Sequence, residues 1–341
     1  MILFDIKYPI IQAPMAGGAT TPELISEVSD FGGLGSLGAA FLSGDAIKEN
    51  IDAIRAKTDK PFNVNLFVPE LAELDEKKLK LMDKKLEPYL KKYDLDKPEP
   101  KAPFYPANIN DQIDAIIERN VSIVSFTFGI PEKNIIDKLK NEGVTLIGTA
   151  TTVEEALAIE KAGFDIVVAQ GSDAGGHRGT FLRSYQESMI GTMALVPQVV
   201  DAVSIPVIAA GGIMDKRGIA AALALGADAV QMGTAFLTCL EAGIPGCYKQ
   251  KLLNTKTDST IVTKVFTGRP ARGIQNEFTH ALANSDHELL DFPIQGSLTK
   301  TIRQAASKEK NTELMSIWAG QAASLSKALT VEALMKKLTG N

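Results

Sequence analysis

The sequence predicts an α/β fold: one closed (β/α)8 TIM barrel with a helical insertion and a C-terminal helical extension. Three observations carry this expectation. Between residues 8 and 232, short apolar runs alternate with helix-like stretches until eight strand–helix units have accumulated, a rhythm that suits a parallel barrel better than an open sheet. The runs are apolar almost throughout, as in IVVA, which marks strands buried on both faces. Three of them run straight into glycine-rich polar loops, and parallel barrels present their chemistry at the carboxyl ends of their strands.

Residues 8–14, YPIIQAP, form the first strand, closed by Met15-Ala16-Gly17-Gly18. Thr21-Pro22-Glu23 opens a helix: a hydroxyl caps it, proline suits its first turn, and an acid meets the positive end of its dipole. That helix ends near Phe31, ahead of Gly32 and Gly33. A weak strand at 34–37 and a helix at 45–57 lead to the clear strand 62–68, FNVNLFV, with Asn63 and Asn65 on one face. Residues 69–107 interrupt the rhythm; Lys, Glu and Asp surround spaced leucines before the proline-rich DKPEPKAPFYP, which reads as an inserted amphipathic helical pair or lid over the barrel mouth. The alternation resumes with helix 109–118, strand 121–126, helix 132–141, strand 144–148 and helix 153–162. The strand opening at Ile166 follows, then helix 194–202, strand 206–210, helix 216–225 and strand 229–232. Residues 1–242 thus form the barrel, and 243–341 a helical extension packed on it, in which Trp318 of SIWAGQAAS is placed to return to the site.

With 341 residues, 45% hydrophobic and 23% charged, the chain can bury a sizeable core. Its net charge of −5 argues against nucleic acid or an anionic membrane as the main partner. Cys239 and Cys247 are too few for a zinc site or a disulfide framework, so no metal is expected. The N-terminal MILFDIKYPI lacks a basic region and a long apolar core, and no apolar run reaches membrane-spanning length. The expectation is a cytoplasmic protein acting on a small molecule; a homo-oligomer is left open.

The stretch richest in chemistry is 166–179, IVVAQGSDAGGHRG. A buried strand gives way to a loop with four glycines, Asp173, Arg178 and His177, the one nearby group that titrates around neutrality. Two other strands end in Ala210-Gly211-Gly212 and in Gln231-Met232-Gly233-Thr234. Loops after the seventh and eighth strands of such barrels commonly bind a phosphate through backbone amides, and Gly211, Gly212, Gly233 and Thr234 supply the small residues this needs. A sugar phosphate or flavin mononucleotide (FMN) are the candidate ligands; ordinary turns that favour glycine are the plain alternative. Gly33, Gly35 and Gly38 match a dinucleotide-binding pattern, but they follow a helix where that motif must follow a strand, so it is rejected.

QAPMAGG near the start, FTFGIP at 126–131, GTATTVEEA at 148–156, AQGSDAGGHRG at 169–179, PVIAAGG at 206–212 and QMGTAF at 231–236 together resemble the nitronate monooxygenases, FMN-dependent barrels once called 2-nitropropane dioxygenases. The resemblance runs on through TGRPARGIQNEF at 267–278 and WAGQAAS at 318–324. It implies that Asn65, Gln170, Gly175, Gly212 and Gln231, Met232, Gly233 and Thr234 contact FMN, with Gly212, Gly233 and Thr234 at its phosphate and Ala13, Pro14 and Met15 near its ring. His177 would stand on the substrate side. The implied reaction is oxidative denitrification of an alkyl nitronate, such as propionate 3-nitronate, with dioxygen, giving a carbonyl compound and nitrite. A neutral nitroalkane would first need its α-proton removed, a general-base task for His177; toward an anion it would serve as hydrogen-bond donor or positive partner.

Asp173 could orient His177, and Arg178 reads as structural or rim. Arg269 and Arg272 either assist an anionic substrate or brace the tail, while His280 and His287 read as solvated helix positions. The runner-up reading is a flavin-dependent enoyl-acyl-carrier-protein reductase or NAD(P)H:quinone reductase on a similar barrel with a similar AGGH loop. A non-catalytic flavin- or phosphate-binding barrel is the third.

Overall fold

The computed structural model describes residues 4–69, 71–100 and 108–340. In chain order the elements are β1 (Ile10–Gln12), α1 (Pro22–Phe31), β2 (Gly35–Gly38), α2 (Gly44–Arg55), β3 (Phe62–Phe67), α3 (Glu76–Lys92), α4 (Ile109–Glu118), β4 (Ile123–Thr127), α5 (Lys133–Asn141), β5 (Thr145–Ala150), α6 (Val153–Lys161) and β6 (Ile166–Gln170). There follow β7 (Gly176–His177), α7 (Thr192–Ala202), β8 (Val207–Ala210), α8 (Lys216–Ala224), β9 (Ala229–Met232), α9 (Thr234–Leu237), α10 (Gly246–Leu253), β10 (Thr260–Thr263), β11 (Ala271–Ile274), α11 (Glu277–Ala281), α12 (Ile294–Lys308) and α13 (Val331–Thr339).

Eight parallel strands form one sheet in the order β1-β9-β8-β6-β5-β4-β3-β2. The two ends meet through a bridge between Ile11 and Leu34, with Gln12 N donating to Leu34 O at 2.9 Å and Leu34 N to Ile10 O at 3.0 Å. The sheet is a closed TIM barrel, as the alternation predicts. Thr21 caps α1 by accepting from Leu24 N, with Pro22 in the first turn. Gly35 has no room for a side chain, since a Cβ there would lie 2.3 Å from Ile25 O, and this lets α1 lie directly on β2.

Strand alternation sorts the core into two layers. Ile11, Ile123, Ile147, Ile166, Val168, Ile208 and Ala229 point inward and fill the barrel. Val64, Val124, Leu146, Val167, Val207 and Val230 point outward against the helices. The inward positions of β3 and β4 turn polar towards the mouth: Asn63 and Asn65, on one face as the sequence predicts, each donate to Ser125 Oγ at 2.9 Å.

A further core lies over the mouth. Met82, Leu86 and Leu90 of α3 pack with Phe278 of α11 and Leu298 and Ile302 of α12. The insertion and the extension therefore bury their apolar faces against each other. Where leucine spacing allows a helical pair, the described residues hold the single helix α3; the proline-rich end at 101–107 lies outside them. The extension is not helical throughout, because β10 and β11 form a hairpin to which β7 adds, making a three-stranded antiparallel sheet. The strands of this hairpin are short and only partly apolar, so they carry no period that sequence can detect. The last helix, α13, buries Val331, Leu334, Met335 and Leu338 against α1 and α8 and so joins the helical ring of the barrel.

Ile208 is fully buried inside the barrel. Ile208→Ala is expected to cost about 3 kcal/mol in chemical denaturation, the usual price of truncating a packed core side chain; a loss below about 1 kcal/mol would mean the interior is loosely packed.

Candidate active site

At the carboxyl ends of the strands lies a cavity of about 880 Å³. Every residue singled out from the sequence as catalytic or ligand-binding is on its wall: Ala13, Pro14 and Met15 after β1, Asn65 on β3, Gln170 at the end of β6, Gly175 and His177, Gly211 and Gly212 after β8, and Gln231 to Thr234 at β9 and α9. Trp318 and Gly320 reach it from the extension.

One side of the cavity is a glycine-lined cradle. Gly211 and Gly212 adopt φ of +123° and +69°, and a Cβ on Gly211 would meet Thr192 Oγ1 at 2.6 Å. A Cβ on Gly175 would lie 2.5 Å from the Ala319 carbonyl carbon. Gly320 N donates to Thr234 Oγ1 at 3.0 Å, so the tail closes directly on the first turn of α9. Backbone N–H groups at the start of a helix beside glycines with left-handed φ are suited to a phosphate, and the residues present fit that group.

Another part of the site is aromatic. His177 has ring centroids of Trp318 at 5.5 Å, Phe128 at 5.8 Å, Phe292 at 5.9 Å and Phe67 at 6.3 Å. Phe128 holds a φ of +77°, unusual for a bulky residue, and its ring carries the Arg269 guanidinium carbon 3.7 Å from its centroid. These aromatics come from distant parts of the chain and carry no common sequence signal. Burial among them, reinforced by the charges of Arg269 and Arg303, pushes the His177 pKa down to about 3. Burial and these charges favour the neutral imidazole. Its Nε2 lies 3.0 Å from Thr267 Oγ1.

The backbone of His177 is fixed from both sides. Outside, β7 pairs with β11, His177 opposite Ala271, and Arg178 N donates to Pro270 O at 2.8 Å. Inside, the Arg178 guanidinium is fully buried and donates to Gln170 Oε1, Gly171 O, Gln170 O and Ser188 O at 2.6–3.2 Å. Arg178 is structural. Gln170 belongs to the same lattice: its Nε2 donates to His177 O at 3.1 Å and its Oε1 accepts from Gly179 N at 2.8 Å, so its amide holds the loop at both ends. Asp173 does not orient His177; its Oδ2 accepts from Thr192 N at 2.6 Å and caps α7. Arg272 braces the loop through Ser172 O at 2.8 Å, and Arg269 donates to Thr180 O at 2.6 Å; neither lines the cavity. His280 and His287 are exposed and away from it, His287 in a turn and not on a helix.

Sequence reasoning misses α12. Ser297, Lys300, Arg303, Gln304 and Ser307 present one face of this helix to the cavity. Their three- and four-residue spacing was the available signal, although a polar helical face ordinarily means solvent. Tyr248 also lines the cavity, with its hydroxyl donating to Trp318 O at 2.8 Å. Among the described residues no cluster could hold a metal ion, and no helix is long and apolar enough to cross a membrane.

The family model described as nitronate monooxygenase matches residues 1–341. A probable nitronate monooxygenase of Staphylococcus saprophyticus is 47% identical, over 98% of this chain and 95% of its own. Nitroalkane oxidase from Streptomyces ansochromogenes superposes with a TM-score of 0.92 at 37% identity, covering 98% of this chain and 96% of that one. FabK from Thermotoga maritima gives 0.77 at 32% identity, covering 99% and 93%.

The depressed pKa of His177 links to stability. The folded chain keeps the imidazole neutral, while the unfolded chain takes up a proton below its ordinary pKa of 6.5. Stability is therefore lost as pH falls from 6.5 towards the folded value of about 3. The urea midpoint of the parent should fall more steeply over that range than that of His177→Asn; parallel curves would contradict the assignment.

Proposed function

We infer the chemistry from one premise: the chain belongs to the nitronate monooxygenase family, a family of flavin-dependent oxidoreductases. The flavin is FMN, with its phosphate in the cradle of Gly211, Gly212, Gly233 and Thr234, and with Ala13, Pro14, Met15, Asn65, Gln170, Gly175, Gln231 and Met232 around the rest of it. The glycine conformations at 211 and 212 and the start of α9, which no side chain caps, support this reading. When bound, FMN supplies the one-electron acceptor that couples an alkyl nitronate and dioxygen to a carbonyl compound and nitrite.

The observation that carries the substrate choice is the neutral His177 among its aromatics. A base whose pKa has been pushed down to about 3 is free to accept a proton but takes one weakly, so it is poorly matched to deprotonating a neutral nitroalkane. A nitronate arrives already deprotonated. What the residue does for it is positional: Thr267 Oγ1 donates to Arg269 O at 3.2 Å, which leaves its oxygen to accept from His177 Nε2–H and turns Nδ1, without a hydrogen-bond partner among the described residues, to the substrate. Phe67, Phe128, Phe292 and Trp318 exclude water around that nitrogen.

On flavin-loaded protein without oxygen, ethylnitronate should reduce the flavin, and nitrite should appear once oxygen is admitted; rapid bleaching by NADH or NADPH alone would move the reading to a reductase. Ethylnitronate should exceed nitroethane in kcat/KM, and His177→Asn should keep its flavin yet lose about 10-fold in kcat/KM on ethylnitronate, the effect of losing one hydrogen bond to an anion. Unchanged turnover of ethylnitronate would remove His177 from the reaction. Gly233→Asp tests the cradle. A Cβ at Gly233 meets only Ala13 Cβ at 3.5 Å and Met15 Sδ at 3.7 Å, so the variant can fold, while its carboxylate would oppose a phosphate. It should purify without flavin; full occupancy would refute the phosphate site.

A further inference from the structure

A neutral His177 leaves the charge of an anionic substrate unanswered, and a cation on the cavity wall is free to answer it. Arg303 projects from α12 onto the cavity that His177 also lines, and its charge reaches the imidazole. Its guanidinium is held in place by three donations: Nε to Thr299 Oγ1 at 3.1 Å, Nη2 to Gly296 O at 3.1 Å and Nη1 to Ser316 Oγ at 3.5 Å. These acceptors are all neutral. Guanidinium offers five N–H donors, so one on each terminal nitrogen remains without an acceptor among the described residues. No carboxylate pairs with it there, and burial alone lowers its pKa, to about 10, so it stays charged.

Other cations near the site are differently placed. Arg178 is spent on backbone carbonyls inside the loop, and Arg269 and Arg272 do not line the cavity. Lys300 lines it but is exposed to solvent. A half-buried cation with two spare donors and no counter-ion among the described residues is a site for a planar oxyanion, because each N–H···O⁻ bond there is charge-assisted.

We propose that Arg303 is the anion-recognition residue of this site, its spare N–H donors on Nη1 and Nη2 gripping the two oxygens of the nitronate head and so favouring nitronates over their neutral nitroalkanes. The proposal rests on the nitronate reading given above. Ser316 ties the guanidinium to the segment that brings Trp318 against His177, so the anion subsite and the aromatic wall are built by the same stretch of tail.

The test uses the flavin-loaded protein and its Arg303→Gln and Arg303→Lys variants. Nitrate, a planar anion of similar shape, is titrated at constant ionic strength while the fluorescence of Trp318, the single tryptophan of the chain, is followed. The dissociation constant for nitrate and the KM for ethylnitronate should both rise about 10-fold or more in Arg303→Gln, as expected when a charged hydrogen-bond donor is lost, and Lys should recover part of both. The ratio of kcat/KM for ethylnitronate over nitroethane should fall by a similar factor, about 10-fold. Equal losses on both substrates, or an unchanged nitrate constant, would overturn the proposal and leave Arg303 a brace for α12. If Arg303→Gln does not fold, Arg303→Lys carries the same comparison, and a parent-like ratio and nitrate constant in it would overturn the proposal. A parent that binds nitrate through Arg303 but does not consume ethylnitronate would refute the nitronate reading and leave the anion subsite standing.

Discussion

The site depends on a buried arginine that never meets a substrate. A guanidinium placed out of water is costly unless its donors are satisfied, and Arg178 satisfies four contacts with the loop that follows β6. That requirement makes the loop compact, since carbonyls at 170, 171 and 188 must converge on one point. Glu155, equally buried, receives Thr180 Oγ, Phe181 N and Leu182 N just beyond and fastens the same loop to the start of α6. His177 is one residue from Arg178, so its position follows from where the charge is held. A glycine-rich stretch that could have been a mobile turn is instead a rigid support.

The barrel was legible because its signals are local. Strands buried on both faces must be apolar without interruption, and the cap at Thr21 and the left-handed glycines Gly32, Gly143, Gly163 and Gly226 after α1, α5, α6 and α8 are short-range chemistry. The cradle was legible for the same reason, because glycines at fixed places after the seventh and eighth barrel strands have a positional meaning. What sequence could not yield are the pairings made across long separations. Gly176 and His177 form a strand of two residues whose partner lies some ninety positions onward, and neither segment has a period to betray it. Phe41, Phe67, Phe128 and Phe292 each look like ordinary core residues, and only the fold gathers the last three around one imidazole. Asp173 sits four residues from His177, near enough to suggest a catalytic pair, yet the backbone turns it to cap a helix.

The two sides of the cavity divide the electrostatic labour. The cradle offers backbone N–H dipoles, which favour an anion with no titratable group and so work at any pH near neutrality. The aromatic side removes water and keeps the imidazole neutral, so what charge it receives comes from arginines outside the ring cluster. The apolar cluster that unites α3 with α11 and α12 underlies this arrangement, because it holds the polar face of α12 over the mouth.

The contact between Gly320 N and Thr234 Oγ1 fixes when the site comes into being during synthesis. All eight barrel strands have been made by Met232, but the cradle is closed by Gly320, and the wall behind His177 by Trp318. On the ribosome, a nascent barrel is therefore complete in its sheet long before it can grip a ligand. The residues that close the cradle and back His177 are synthesised well after the last barrel strand.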